Sequence, residues 1–141
     1  GVENQYDVLV VGDLTSASRP ELLIDKLGAR LFVGRSVDAS SRDIHEELSA
    51  AGVEVATWRN ASERALLYRT SALVYFPMSD EGAGEMELLE ALACGAKIEI
   101  EQDNTKLVAL HEKSLKEGIP NHVAYAGTIT QAIWTVLSAA Q

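Results

Sequence analysis

Five carboxylates crowd one short stretch of the chain: Asp80, Glu81, Glu85, Glu87 and Glu90, threaded by Gly82, Ala83 and Gly84. An acidic, glycine-rich turn that runs into a helix start brings two chemistries together. Carboxylates accept hydrogen bonds from ligand hydroxyls, while the unpaired N–H groups of a helix amino end favour phosphate and other anions. A polyhydroxyl ligand that carries phosphate suits this mixture. Acidic residues at a helix start also gain about 0.3–1 kcal/mol each from the helix dipole, which accounts for Glu85 and Glu87 without any ligand. It accounts less well for the whole run of a strand ending in Pro77, an acidic Gly-x-Gly turn and then a helix.

Two other segments share a style. Gly12–Arg19 (GDLTSASR) and Gly34–Ser41 (GRSVDASS) each place glycine, hydroxyls and an arginine between an apolar run and a helical one. Small residues let a ligand approach the backbone, and Arg19 and Arg35 are candidates for charge-assisted bonds to a diphosphate. Neither segment is a dinucleotide or P-loop fingerprint, and each alone reads more readily as an ordinary strand-to-helix turn with an exposed arginine. His45, His111 and His122 stand far apart with no partner at ligand spacing, so no zinc pattern is present. The single cysteine, Cys94, cannot form an internal disulfide, which fits a reducing compartment. Its place in an apolar helix marks it as a small buried hydrophobe rather than a nucleophile. Trp58 is suited to stacking on a base.

The elements that must position these residues follow from periodicity. With 141 residues, 47% of them hydrophobic, the chain has the length of one domain and the composition of a globular one. Twelve basic residues against 21 acidic ones leave a net charge of −9. That balance argues against a general nucleic-acid or membrane-surface binder. No apolar run approaches the roughly eighteen residues of a membrane span, and Glu3 and Asp7 interrupt any signal-peptide pattern at the start. The expectation is a cytoplasmic protein. Strands are expected at Asp7–Gly12, Arg30–Gly34, Val53–Trp58, Ser71–Met78, Lys97–Glu101 and His122–Tyr125. Helices are expected from Pro20 to Gly28, from the Asp38–Ser41 cap to Gly52, and over Ser62–Arg69, Glu85–Cys94, Thr105–Lys116 and Ile129–Ala140. Within them, Leu22, Leu23 and Leu27 are the apolar side of the first helix, and Leu107, Leu110 and Leu115 that of the fifth. This alternation predicts an α/β, three-layer, Rossmann-like domain with a parallel sheet of about six strands. Ligands in such sheets gather beyond the strand carboxyl ends, where the glycine turns lie.

The segment Glu81–Gly95 (EGAGEMELLEALACG) resembles the motif of GT-B glycosyltransferases of the group 1 type, an acidic Gly-x-Gly turn followed by Leu-Glu-Ala-x-Ala-Cys-Gly. Leu89–Gly95 carries the closest match, and Leu67–Pro77 looks like the helix and strand that precede the motif. The resemblance implies the carboxy-terminal half of that fold, which binds a nucleotide-sugar donor. It implies that Glu90 binds the nucleotide ribose, that Glu81 lies by the donor sugar as the catalytic-site carboxylate, and that the backbone of Gly82, Ala83 and Gly84 meets sugar and phosphate. It makes Arg19 and Arg35 the nearest holders of the diphosphate and sets Trp58–Asn60 beside the base. It implies no cofactor beyond the nucleoside-diphosphate sugar, no obligatory metal, and an amino-terminal acceptor domain in the same parent chain. The chain departs from the family pattern in having Gln102–Lys106 (QDNTK) where a Gly-Gly-x-x-Glu loop is expected.

Two other readings fit the same residues. Gly84–Ile98 can be laid on the pattern of a nucleoside 2-deoxyribosyltransferase, with Glu87 as the nucleophile that attacks an anomeric carbon. A non-catalytic interaction domain on a transferase-like fold is the third, since fold alone does not dictate activity.

Overall fold

The computed structural model describes residues 5–118. The expected strand at His122–Tyr125 and the expected helix at Ile129–Ala140 lie outside them. Strand β1 (Val8–Asp13) leads through a single 3-10 turn (Ser16–Ser18) and α1 (Glu21–Ile24) to β2 (Arg30–Arg35). Then follow α2 (Ser40–Ala50), β3 (Glu54–Thr57), α3 (Ala61–Thr70), β4 (Val74–Phe76), α4 (Glu85–Ala93), β5 (Ile98–Ile100) and α5 (Thr105–Glu117). The five strands form one sheet in the order β3-β2-β1-β4-β5, and each neighbouring pair is parallel. The α/β Rossmann-like architecture expected of the alternating pattern is the one observed.

Parallel pairing requires every connection to cross back over the sheet, so all strands end at the same edge. The chain moves outward through β1, β2 and β3, then returns to place β4 on the other side of β1. Right-handed crossovers therefore put α1 and α2 on one face and α3 and α4 on the other. Helices α3, α4 and α5 pack side by side. The reversal of direction between β1 and β4 opens a crevice at their carboxyl ends.

Burial explains which strands read clearly. Val8, Leu9, Val10 and Val11 are all buried, because β1 is central and covered on both faces. Strand β3 lies at the edge and exposes Glu54 and Thr57. Strand β4 is shorter than the expected Ser71–Met78. The Ser71 hydroxyl donates to the Leu67 carbonyl 2.7 Å away and so belongs to the end of α3, and Pro77 has no N–H with which to continue the ladder.

Helix α1 is one turn long, not the run to Gly28 that the leucine spacing predicts, and Leu27 is 89% exposed. The chain leaves the helix early because Ala29 is held at the start of β1: its N–H donates to Asp7 Oδ2 at 2.7 Å and its carbonyl accepts from Asp7 N at 2.8 Å. Gly28, at φ +90°, makes the turn against Asp7 and leaves no room for a side chain. Leu115, expected inward on α5, is also exposed, whereas Leu107 is fully buried.

Candidate functional site

At the carboxyl ends of β1 and β2, facing the first turn of α4, lies a small cavity of about 80 Å³ lined by Gly12, Asp13, Ser18, Arg35, Ala83 and Glu87. Two contacts between loops shape it. The Ser41 hydroxyl donates to the Leu14 carbonyl at 2.8 Å and accepts from Val37 N at 3.1 Å, tying the loop after β2 to the loop after β1. Leu14 sits against Gly34, where a Cβ would stand 2.6 Å from Leu14 Cγ. These small residues therefore let the two loops close on each other beside the cavity.

The acidic turn is held rigidly from below. Asn104, fully buried, caps α5 by accepting from Leu107 N at 3.1 Å, and its amide donates to the Met78 carbonyl at 3.0 Å. Lys106 pairs with Glu85 at 2.7 Å, and Thr105 bonds the Asp80 carboxylate at 3.3 Å. The Gln102–Lys106 segment is thus the clamp on the turn. Asn104 just ahead of the expected helix at Thr105 is the sequence signal for it, as an N-cap.

Arg19 belongs to the same clamp. From a left-handed backbone (φ 46°) its Nε donates to the Pro77 carbonyl at 2.7 Å. Its two terminal nitrogens reach the Asp103 carboxylate at 2.7 Å each, and one of them also donates to the Met78 carbonyl at 3.2 Å. The residue expected on a diphosphate is committed to the protein's own chain. Gly82 packs the turn against the first loop, since a Cβ there would lie 2.9 Å from the Ala17 carbonyl. Gly84 (φ 157°) starts α4 without a side-chain cap, and Ala83 faces the cavity. Glu81 is exposed on the turn, outside the cavity lining.

Glu90 is not at the crevice. Its side chain is 1% exposed and takes Arg64 Nε at 3.2 Å, Arg64 Nη2 at 2.9 Å and the Tyr68 hydroxyl at 3.0 Å. It joins α4 to α3 in the interior, so the residue that the resemblance sets on a ribose has its carboxylate engaged by Arg64 and Tyr68. The carboxylate that α4 presents to the cavity is Glu87, one helical turn earlier.

Arg35 lies over the Trp58 indole, 4.1 Å from the ring centre, and Arg64 lies against the same ring at 4.9 Å. Trp58, expected beside a base, is therefore already engaged by two guanidinium groups. Burial raises the pKa of Glu87 and the charge of Glu90 adds to this, against the opposing pull of its own backbone N–H and of Arg35 and Arg64. A carboxyl that holds its proton more tightly in the folded than in the unfolded chain favours folding at low pH. That contribution is lost as pH rises through the raised value. Glu87→Gln is accordingly expected to stabilise the protein at neutral pH, with the gain disappearing below the ordinary carboxylate range. Urea titrations across that pH range measure this, and an equal effect at all pH values would contradict it.

Elsewhere, burial pushes the Cys94 thiol up to about 12, which leaves it unreactive near neutrality. A larger hollow of about 270 Å³ lies beside α3 against β2 and β3, where its polar groups pair with one another, Tyr6 with Glu54 and Arg59 with Glu63. Among the described residues no helix is long and apolar enough to cross a membrane. No family model matches the chain, and neither a curated protein nor a solved structure matches it.

Proposed function

We propose that the chain is the donor-binding domain of a GT-B glycosyltransferase and holds a nucleoside-diphosphate sugar in the crevice between the β1 loop and α4. The observation that carries this reading is the meeting of Gly12, Arg35, Ala83 and Glu87 around one cavity at the point where strand order reverses. Arg35 takes the diphosphate and stabilises the charge that develops on it as it leaves. Glu87 accepts from a ribose hydroxyl, the role that the resemblance gives to Glu90. Glu81, on the exposed turn, addresses the donor sugar. The acceptor site belongs to an amino-terminal domain of the same parent chain.

A second reading is favoured by the same Glu87. In a deoxyribosyltransferase-like reaction its carboxylate forms a bond to the anomeric carbon as the glycosidic bond to the base breaks, and the base departs with the electron pair and takes up a proton. Calorimetric titration with UDP, GDP, UDP-glucose and a deoxyribonucleoside separates the two. The donor reading expects binding of the nucleoside diphosphates, and a Glu81→Ala variant that weakens UDP-glucose but not UDP. Cleavage of the deoxyribonucleoside, abolished by Glu87→Ala, supports the second reading instead. No binding of any of the four overturns both and leaves an interaction domain.

A further inference from the structure

Three arginines brace the elements that form the crevice, and they differ in what they do with their donors. Arg19 makes four hydrogen bonds to Pro77, Met78 and Asp103. Arg64 makes three, two to Glu90 and one to the Arg59 carbonyl at 2.7 Å. Arg35 makes none among the described residues, and its approach to Asp13, 3.6 Å between Nε and Oδ1, is too long for a hydrogen bond. Yet Arg35 is held, because its guanidinium is centred over the Trp58 ring. A guanidinium that stacks on an aromatic face is restrained through its π surface while its N–H edge remains available. Stacking thus holds the cation without using the donors that an anion needs.

The indole is anchored in turn. Arg64 touches the same ring and is fixed by the buried pair with Glu90, its side chain 4% exposed against 1% for Glu90. A line of contacts therefore runs from α4 through α3 and the loop after β3 to the end of β2. We propose that Trp58 and Arg64 are positioning residues, which hold Arg35 with its donors free at the mouth of the cavity for the phosphate oxygens of a nucleoside diphosphate. The proposal rests on the donor-binding reading for the identity of the ligand, but the positioning is measurable without one.

The first arm uses no ligand. In the ¹⁵N-labelled protein, the Arg35 side-chain Nε–Hε resonance is expected to be displaced by the Trp58 ring current. That displacement should vanish in Trp58→Ala, persist in part in Trp58→Phe, and shrink in the double variant Arg64→Met with Glu90→Gln. The double variant is chosen over Arg64→Ala because it leaves no buried carboxylate unpaired. An Arg35 resonance that is undisplaced in the wild type, or indifferent to the double variant, overturns the proposal. In the second arm, Trp58→Ala is expected to weaken binding of inorganic pyrophosphate and UDP by about tenfold, with Trp58→Phe recovering most of the loss. Equal weakening by both variants would mean that Trp58 is merely packing, and overturns the proposal. If the wild type binds neither anion while the first arm behaves as expected, the donor-binding reading fails and the positioning of Arg35 stands.

Discussion

Arg64→Ala is expected to destabilise the protein by about 3–5 kcal/mol, the effect of leaving a buried carboxylate without its partner. Glu90 is 1% exposed, and Arg64 and Tyr68 are the side chains that meet its carboxylate. Without Arg64 the charge must be carried uncompensated or neutralised by a proton, and both routes weaken the native state. Since a domain is stable by only about 5–15 kcal/mol, the loss is a large fraction of the total. The Tyr68 hydroxyl offers little relief. Burial and the neighbouring Glu90 hold its pKa well above the usual phenol value, so it stays a neutral donor. Replacing the charged pair together, Arg64→Met with Glu90→Gln, is expected to come much closer to the wild type, because the desolvation of both charges disappears along with their attraction. Urea unfolding followed by circular dichroism reads the difference. A loss under about 1 kcal/mol for Arg64→Ala would show that the pair contributes no more than an exposed ion pair does. The same reasoning disqualifies Glu90→Ala as a probe of ligand contact, since it removes a structural anchor.

Arg35→Ala is expected to behave in the opposite way, with little change in stability and a large change in binding. The side chain is 50% exposed and forms no short ion pair, so its removal should cost little more than the exposed contact with Trp58, about 0.5–1 kcal/mol. A hydrogen bond to a charged ligand contributes about 1.5–3 kcal/mol, so UDP affinity should fall by roughly ten- to 150-fold. Because the site is open to solvent, the affinity of the wild type should also decline as salt rises, and more steeply than that of the variant. Arg35→Lys should recover only part of the loss, since an ammonium offers neither the stacking plane nor the paired donors of a guanidinium. Calorimetry with UDP at two salt concentrations tests both statements. UDP binding that is unchanged in Arg35→Ala would remove this side chain from the site.

Glu87 and Glu90 show where reading along the chain reaches its limit. They lie three positions apart on α4, nearly one above the other, and both belong to the acidic cluster that singles out this segment. One lines the cavity and the other is buried against α3. Helical periodicity places them on neighbouring faces but does not say which face α3 will cover, because that depends on the packing of a helix from another part of the chain.

The same division runs through the molecule. The strand and helix alternation, the parallel sheet and the position of the glycine turns at the strand carboxyl ends are legible in apolar runs, caps and breakers a few residues long, since these effects act between near neighbours in sequence. The lengths of α1 and β4 were less so. The first was cut short by Asp7 holding Ala29, and the second by a serine hydroxyl bonded back to α3 and by Pro77. The division of labour among the arginines was not legible at all. Arg19 meets Asp103 across 84 positions, Arg64 meets Glu90 across 26, and Arg35 and Trp58 meet because β2 and β3 are adjacent and end at the same edge. In isolation these side chains are alike, each a long cation with five donors. Which one is committed to the scaffold and which is left facing the crevice is decided only when the crossovers bring distant carboxylates, carbonyls and an indole within a few ångströms.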